Sequence, residues 1–478
     1  ALKNTKDIHL EALQFARFKG MFTGFFQNFV TEGILETNLG TVLSDFNLKI
    51  GTADRFSYYS NLTTKNFQLG KLLDVPELST FSFSGSLKGN GMQNGDRTLN
   101  MDGNVQAITY KNYTYQNLVI NGQLSRQLFE GSLTSKDPHL DFQLNGLVDF
   151  SHDIPEFNLQ AEVNALHGKE IHLSEENIDF SGKLALDFTG NQPDNFNGRA
   201  LIYEATLKHD GLRIPFDSLT LVSNNHNGTK MITVLSNEFD AALVGEFSVN
   251  QLPQTLKGYL NHYFPNIIAA PAHKPENEKF DFVITTKNIQ DYIHVFSDKW
   301  KGFNYSTLEG RINSKENLID LSVNIPQFSY QHFTAYDLAL KGQGNLDQIS
   351  VSAQIDNISW KDSLHFPFTS IALHAANDTT QVEISTSANQ AINTAQLKGT
   401  VITRQQGVNI IFGKSYFEVN GKKWTLQENG ELILTRDLVA AEGLQLLSGQ
   451  QEILAKTIPS ELTNANDIEI TLREINIG

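Results

Sequence analysis

From Ile178 to Gly190 every second residue is apolar or glycine, and those between are mostly charged or hydroxylated. A β-strand sends successive side chains to opposite faces, so this stretch predicts a strand with one oily and one wet face. The alternation recurs in Phe81, Phe83, Gly85 and Leu87, in Leu140, Phe142 and Leu144, and in Phe157, Leu159, Ala161 and Val163. It returns in Phe239, Ala241, Leu243, Gly245 and Phe247, in Ile319, Leu321, Val323 and Ile325, and in Ile349, Val351, Ala353 and Ile355. Turn chemistry separates the runs at Asn90-Gly91, Asn94-Gly95, Lys136-Asp137-Pro138, Asp153-Ile154-Pro155 and the Asn191 to Asn195 segment. The expected fold is mainly β, a long antiparallel sheet with a few short helices.

The period changes in three places. Phe18, Phe22, Phe25 or Phe26, and Phe29 stand at helical spacing and predict a short helix within 13–29, which Gly20 and Gly24 weaken. Leu252, Leu256, Leu260 and Phe264 recur every four residues, with Pro253 in the first turn where its missing N–H costs little. A proline loop follows, then a second helix expected from Asn288 as N-cap through Ile289, Ile293, Phe296 and Trp300. The expected organisation is a first β part over 1–264, a loop-and-helix insertion over 265–300 and a continuation of the β part over 301–478. Two internal likenesses support one repeated β design: Tyr110 to Gln123 with Tyr330 to Gln343, and Leu212 to Leu221 with Leu364 to Leu373. Their offsets differ, as in a stack of hairpins that gained or lost members.

Composition narrows the function classes. A net charge of -16 argues against sequence-independent nucleic-acid binding, which needs a basic face. With no cysteine there is neither a disulfide framework nor thiolate chemistry. No stretch reaches the roughly 18 apolar residues of a membrane-spanning helix. The start without Met and the end in mid-alternation are read as those of an internal portion of a longer protein, with targeting and anchoring segments outside it.

Candidate chemistry is thin, and no catalytic, cofactor or metal residues are assigned. His167, Glu170 and His172 cluster, but histidines five apart do not match a helical zinc motif, so polar residues at a turn are the expectation. Gly89-Asn90-Gly91 with Asn94-Gly95-Asp96 lacks the Gly-Lys-Ser/Thr and following helix of a phosphate loop. The oxygen-rich Asn191 to Asn197 segment lacks the acidic spacing of a calcium loop. What remains is the oily face. With about three inward side chains on each of roughly twenty strands it would present thousands of Å², on the order of ten times the patch a soluble monomer exposes. Such a face closes on itself as a sandwich or is filled by something apolar.

Several segments resemble the TamB branch of the AsmA-like, bridge-like lipid transfer proteins of diderm bacteria. They are Thr64 to Leu73 followed by Phe83 to Gly91, Tyr113 to Leu118 running into Gly122, Phe129 to Leu133, and Ser415 to Leu426. The resemblance implies a sheet folded lengthwise into an open apolar trough, a β-taco. It implies a periplasmic, non-enzymatic conduit for phospholipid between inner and outer membrane, and membrane contact through regions outside this segment. It also implies an Omp85-type outer-membrane barrel partner, TamA- or BamA-like. Acyl chains would then lie along Ile178, Phe180, Leu184, Leu186, Phe188, Phe239, Leu243, Phe247, Ile319, Leu321, Val323, Ile325, Ile349, Val351 and Ile355. The alternative within the same resemblance is a scaffold or chaperone for outer-membrane barrel assembly. An adhesin or glycan-binding solenoid would want aromatic platforms on the wet face, whereas the aromatics sit mostly with the apolar set.

Overall fold

A computed structural model describes residues 9–52, 55–92, 97–272, 277–361, 364–387, 392–419, 421–435, 439–459 and 466–475. The chain is mainly β, 71% strand and 6% helix, arranged as long, open antiparallel sheet with few short helices. It divides into two units, 1–223 and 224–478. Together they expose 28954 Å². Two compact globules, each of half the 53.4 kDa mass, would expose only about 21,000 Å². The surplus is what sheet without a full covering layer leaves open.

The first unit opens with β1 (Ala16–Phe25), β2 (Asn28–Thr37), β3 (Gly40–Ile50) and β4 (Arg55–Phe67). A one-turn helix α1 (Leu69–Leu73) leads to β5 (Leu78–Met92), β6 (Arg97–Tyr110), β7 (Tyr113–Ser125), β8 (Leu128–Asp137) and β9 (Leu140–Asp149). The unit ends with β10 (Glu156–His167), β11 (Ile178–Thr189), β12 (Asn197–His209) and β13 (Leu212–His226), the last of which runs through the division point. Each strand pairs with its neighbours in the chain, an uninterrupted meander.

Register converts the alternation into rows. Directly opposed residues run Gly20, Gly33, Ser44, Leu62, Gly85, Gly103, Ile120, Leu133, Leu144, Ala161, Leu184, Ile202, Leu219 across all the strands. On the other face the neighbouring row reads Asn61, Ser86, Asp102, Asn121, Ser132, Asn145, Gln160. A one-residue slip anywhere would exchange the two, so burial and turns together hold the register.

The second unit begins with β14 (Thr229–Ser236), β15 (Phe239–Glu246), α2 (Leu252–Tyr263), β16 (Lys279–Thr286), α3 (Gln290–Phe296), β17 (Trp300–Gly302) and β18 (Thr307–Asn313). Long strands follow: β19 (Leu318–Tyr330), β20 (Phe333–Gly344), β21 (Ile349–Trp360), β22 (Leu364–Ala376), β23 (Thr379–Thr386) and β24 (Ile392–Arg404). Short ones finish it: β25 (Gly407–Phe412), β26 (Ser415–Val419), β27 (Lys422–Leu426), β28 (Glu431–Thr435), β29 (Val439–Glu442), β30 (Leu444–Ser448), β31 (Gln451–Pro459) and β32 (Asn466–Arg473). Its apolar row reads Val234, Ala241, Ile284, Leu308, Val323, Leu340, Ala353, Ile371, Ile384, Leu397.

A line of irregularity crosses the strands of each unit. Pairing skips Gln106 opposite Asn117, and Glu204 opposite Asp217. In the second unit it skips Pro326, Asp337, Asp356 and Phe368 on four consecutive strands. Asn66, Asn117, Glu204, Asp337 and Phe368 hold left-handed backbone there, with φ between 48° and 55°. Elsewhere the strand breaks outright: β17 and β18 both pair with β19, and β25 and β26 both pair with β24. A bulge bends its strand, so a bulge line creases the sheet. The buried apolar residues gather beside it, among them Val105, Ala205, Ile214, Ala335 and Ile355. They lie on the apolar face, which is therefore the inside of the bend.

Hydroxyls and one carboxylate repair the interrupted ladder. Ser82 Oγ accepts the Asn66 N–H at 2.9 Å, and Thr457 Oγ1 accepts the Ala441 N–H at 2.6 Å. Asp137 accepts from the Gln116 N–H (2.9 Å), the His139 N–H (2.9 Å) and the Tyr113 hydroxyl (2.5 Å). Burial, reinforced by that bond, pushes the Tyr113 phenol far above its usual range, so it stays a donor.

Several sequence expectations change. The 13–29 segment is the β1–β2 hairpin rather than a helix, since spacing of four residues also keeps Phe18 and Phe22 on one face of a strand. Its tip exposes Phe25 and Phe26 almost fully. Asn90-Gly91 lies inside β5, and Asn94-Gly95 falls outside the described residues. The helix expected from Leu252 forms as α2; the one expected from Asn288 shortens to α3, with Trp300 in β17. The 265–300 stretch also contains β16, a full member of the sheet between β15 and β18. The internal likenesses fall on equivalent elements: β7 with β20, and β13 with β22.

Ser415 is fully buried; its Oγ accepts the Lys398 N–H at 2.9 Å and donates to the Gly413 carbonyl at 2.8 Å. Ser415→Ala leaves both groups unsatisfied and is expected to cost about 1–3 kcal/mol. Urea unfolding measures it; an unchanged midpoint would remove the repair role.

Candidate functional site

The candidate site is the apolar face itself. In the first unit Ile178, Phe180, Leu184, Leu186 and Phe188 share that face of β11 and are half-buried, neither sealed nor freely exposed. Side chains closed beneath a second sheet would be buried instead. Leu133, Leu144 and Ile202 on neighbouring strands are half-buried in the same way.

Aromatic rings pave the rows. Phe22 stacks on Phe29 at 5.0 Å, and Phe157 on Phe188 at 4.8 Å, with Phe196 a further 4.8 Å on. Cross-strand glycine pairs lie beneath such rings: Gly20 opposite Gly33 under Phe18, and Gly85 opposite Gly103 under Phe83. A Cβ at Gly103 would stand 2.4 Å from Phe83 Cζ, so glycine here is what lets the ring lie flat on the sheet.

In the second unit the same face carries a cap. Tyr259 and Tyr263 of α2, 2% and 3% exposed, pack on Phe280, Ile312 and Ile319. Leu243, Phe247, Leu321 and Ile349 border that cluster. Of the expected lining residues, Phe239, Val323, Ile325 and Val351 are half-buried on the apolar face outside the cluster. Ile319 is sealed under α2 and Ile355 is buried beside the crease, so neither lines an open surface. Phe247 lies beyond the end of β15 and turns its ring to Phe280, 5.7 Å away. Sequence reading recognised α2 from its period, but which strands it lies upon depends on tertiary packing.

The opposite face is polar and tied by exposed pairs. Asp102 accepts from Asn121 Nδ2 at 3.0 Å, and Lys183 donates to Glu204 at 2.5 Å. The Arg311 guanidinium hydrogen-bonds Asp281 and holds its carboxyl below the usual range. A concavity of about 840 Å³ on this polar face is lined by Lys341, Ser350, His374, Glu383 and Lys398 among others. In the first unit the apolar face is a half-buried strip running across strands.

The weaker sequence candidates resolve locally. Asn195 spends its amide on Asn191 and Gln192 within its own turn. Gly89, Asn90 and Gly91 are strand residues. His172 turns away from His167, its Nδ1 3.1 Å from the Lys111 carbonyl. Comparison of the chain with protein-family models, curated proteins and solved structures found no match.

The α2 cap is expected to be a stability element. Tyr259→Ala removes a fully buried aromatic and should lower unfolding free energy by about 3–5 kcal/mol in urea titration. A loss under 1 kcal/mol would mean that α2 rests loosely on the strands.

Proposed function

We propose that this chain is part of a TamB-like, non-enzymatic lipid conduit, with the apolar face as the track for phospholipid acyl chains. The observation that carries the reading is the unbroken row from Gly20 to Leu219: thirteen strands, one apolar side, left half-open. The crease adds curvature toward that side, as a trough needs. Periplasmic location, inner-membrane anchoring and an Omp85-type partner belong to the same proposal, and rest on the resemblance of Ser415 to Leu426 and the other quoted segments.

Continuity matters because of a simple magnitude. Each methylene left in water costs about 0.8 kcal/mol. Strands are about 4.8 Å apart, a span of roughly four methylenes, so one wetted strand would cost a passing chain about 3 kcal/mol. A track therefore works only if no strand presents a polar residue in the row, and Ser44 is the one hydroxyl in this row. Its Oγ is 2.7 Å from Ser60 Oγ, so the polar group is partnered within the sheet.

The test is native mass spectrometry of the chain purified without detergent, followed by vesicle-to-vesicle phospholipid transfer. Bound phospholipid is expected, and Leu133→Asp with Leu184→Asp should reduce transfer at least tenfold, while Gln160→Asp on the polar face leaves it intact. Absence of bound lipid together with unchanged transfer in the double variant would reject the conduit. Photo-crosslinks from Leu184 to nascent barrel proteins, without lipid adducts, would favour the scaffold reading instead.

A further inference from the structure

We infer that His167, Glu170 and Asp179 form a divalent-cation site, with zinc its best-fitting occupant. Their ligand atoms lie within 4.8 Å of one another. They come from three places: the last residue of β10, the following turn and the start of β11, where His167 and Asp179 are directly opposed. The turn is already fixed by backbone bonds, Gly168 N–H to the Ile178 carbonyl (2.7 Å) and Ile171 N–H to the His167 carbonyl (3.2 Å). The ligands are therefore brought together by the fold rather than by chance side-chain reach.

The chemistry selects the ion. Two carboxylates and an imidazole suit zinc, which takes His nitrogen and carboxylate oxygen in tetrahedral sites with one open position. Calcium and magnesium prefer oxygen alone. Asp179 Oδ1 sits 2.8 Å from His167 Nδ1, both side chains about a third exposed and open to solvent. Glu170 is exposed and has no hydrogen-bond or ion-pair partner among the described residues. Ligands on zinc stand about 3.4 Å apart, so closure needs the exposed Glu170 side chain to rotate and the His167–Asp179 pair to open from 2.8 Å, exchanging its hydrogen bond for the metal. A second imidazole is at hand: the His139 ring lies edge-on to His167 at 5.7 Å, and the His139 carbonyl accepts the His167 N–H at 3.0 Å. An ion there would clip the 168–177 turn across β10 and β11, beside the bulge after Val163 where the ladder is interrupted.

The experiment uses the tag-free, chelator-treated chain titrated with zinc against a chromophoric competitor. One tight equivalent is expected, weakened at least tenfold in Glu170→Gln and in His167→Ala, a size typical of damage to a metal shell. His172→Ala should bind as the parent does. The metal-free unfolding midpoint of Glu170→Gln should match the parent, and zinc should raise only those of the parent and His172→Ala. No tight equivalent, or one that survives both Glu170→Gln and His167→Ala, would overturn the site.

Discussion

The whole arrangement depends on repairing a broken β-ladder. A long strand can be bent sharply only by taking backbone groups out of register, and each N–H stranded away from water costs free energy. The chain answers with short polar side chains placed at the breaks. Ser82, Asp137, Ser415 and Thr457 receive the freed amides. In another fold such polar residues, three of them buried, would invite a catalytic interpretation. Here they accept main-chain amides at breaks in the ladder, and Asp137 takes the Tyr113 hydroxyl as well.

The second requirement is that bending must not mix the faces. A bulge on one strand alone keeps them apart by leaving its extra residue unpaired, so that Val163 and Leu166 of β10 both face apolar partners, Gly182 and Phe180. Where the irregularity stands on both partners, as at Glu204 and Asp217 or through Pro326, Asp337, Asp356 and Phe368, each strand shifts by the same step. Ile202 before the bulge and Ala205 after it consequently keep to the same side, opposite Leu219 and Phe216. Curvature and facial purity come from the same device.

Much of this was legible from residue order, and the reasons differ by feature. Period-two alternation reports a half-buried strand directly, so the β class and the apolar membership of Leu184 or Val323 could be read. The four-residue period of Leu252 to Phe264 was equally plain. The β1–β2 hairpin was not, because phenylalanines four apart satisfy both periods. The crease carries no common residue type: asparagine, glutamate, aspartate and phenylalanine all take the left-handed positions. Burial of Ile319 depends on a helix more than fifty residues earlier in the chain, and the approach of Asp179 to His167 on cross-strand register, neither of which a local pattern encodes.

The neighbour-only pairing of the first unit also bears on how such a sheet comes into being. Each hairpin needs only the one before it as a template, so growth can follow the order in which the chain emerges, without waiting for distant segments to arrive. Chain topology then sets no preferred length. A duplicated or deleted pair of strands changes how far the sheet reaches, while the connections among the rest stay as they were. The unequal spacing of the β7-like and β13-like segments is the trace that such growth by hairpins would leave.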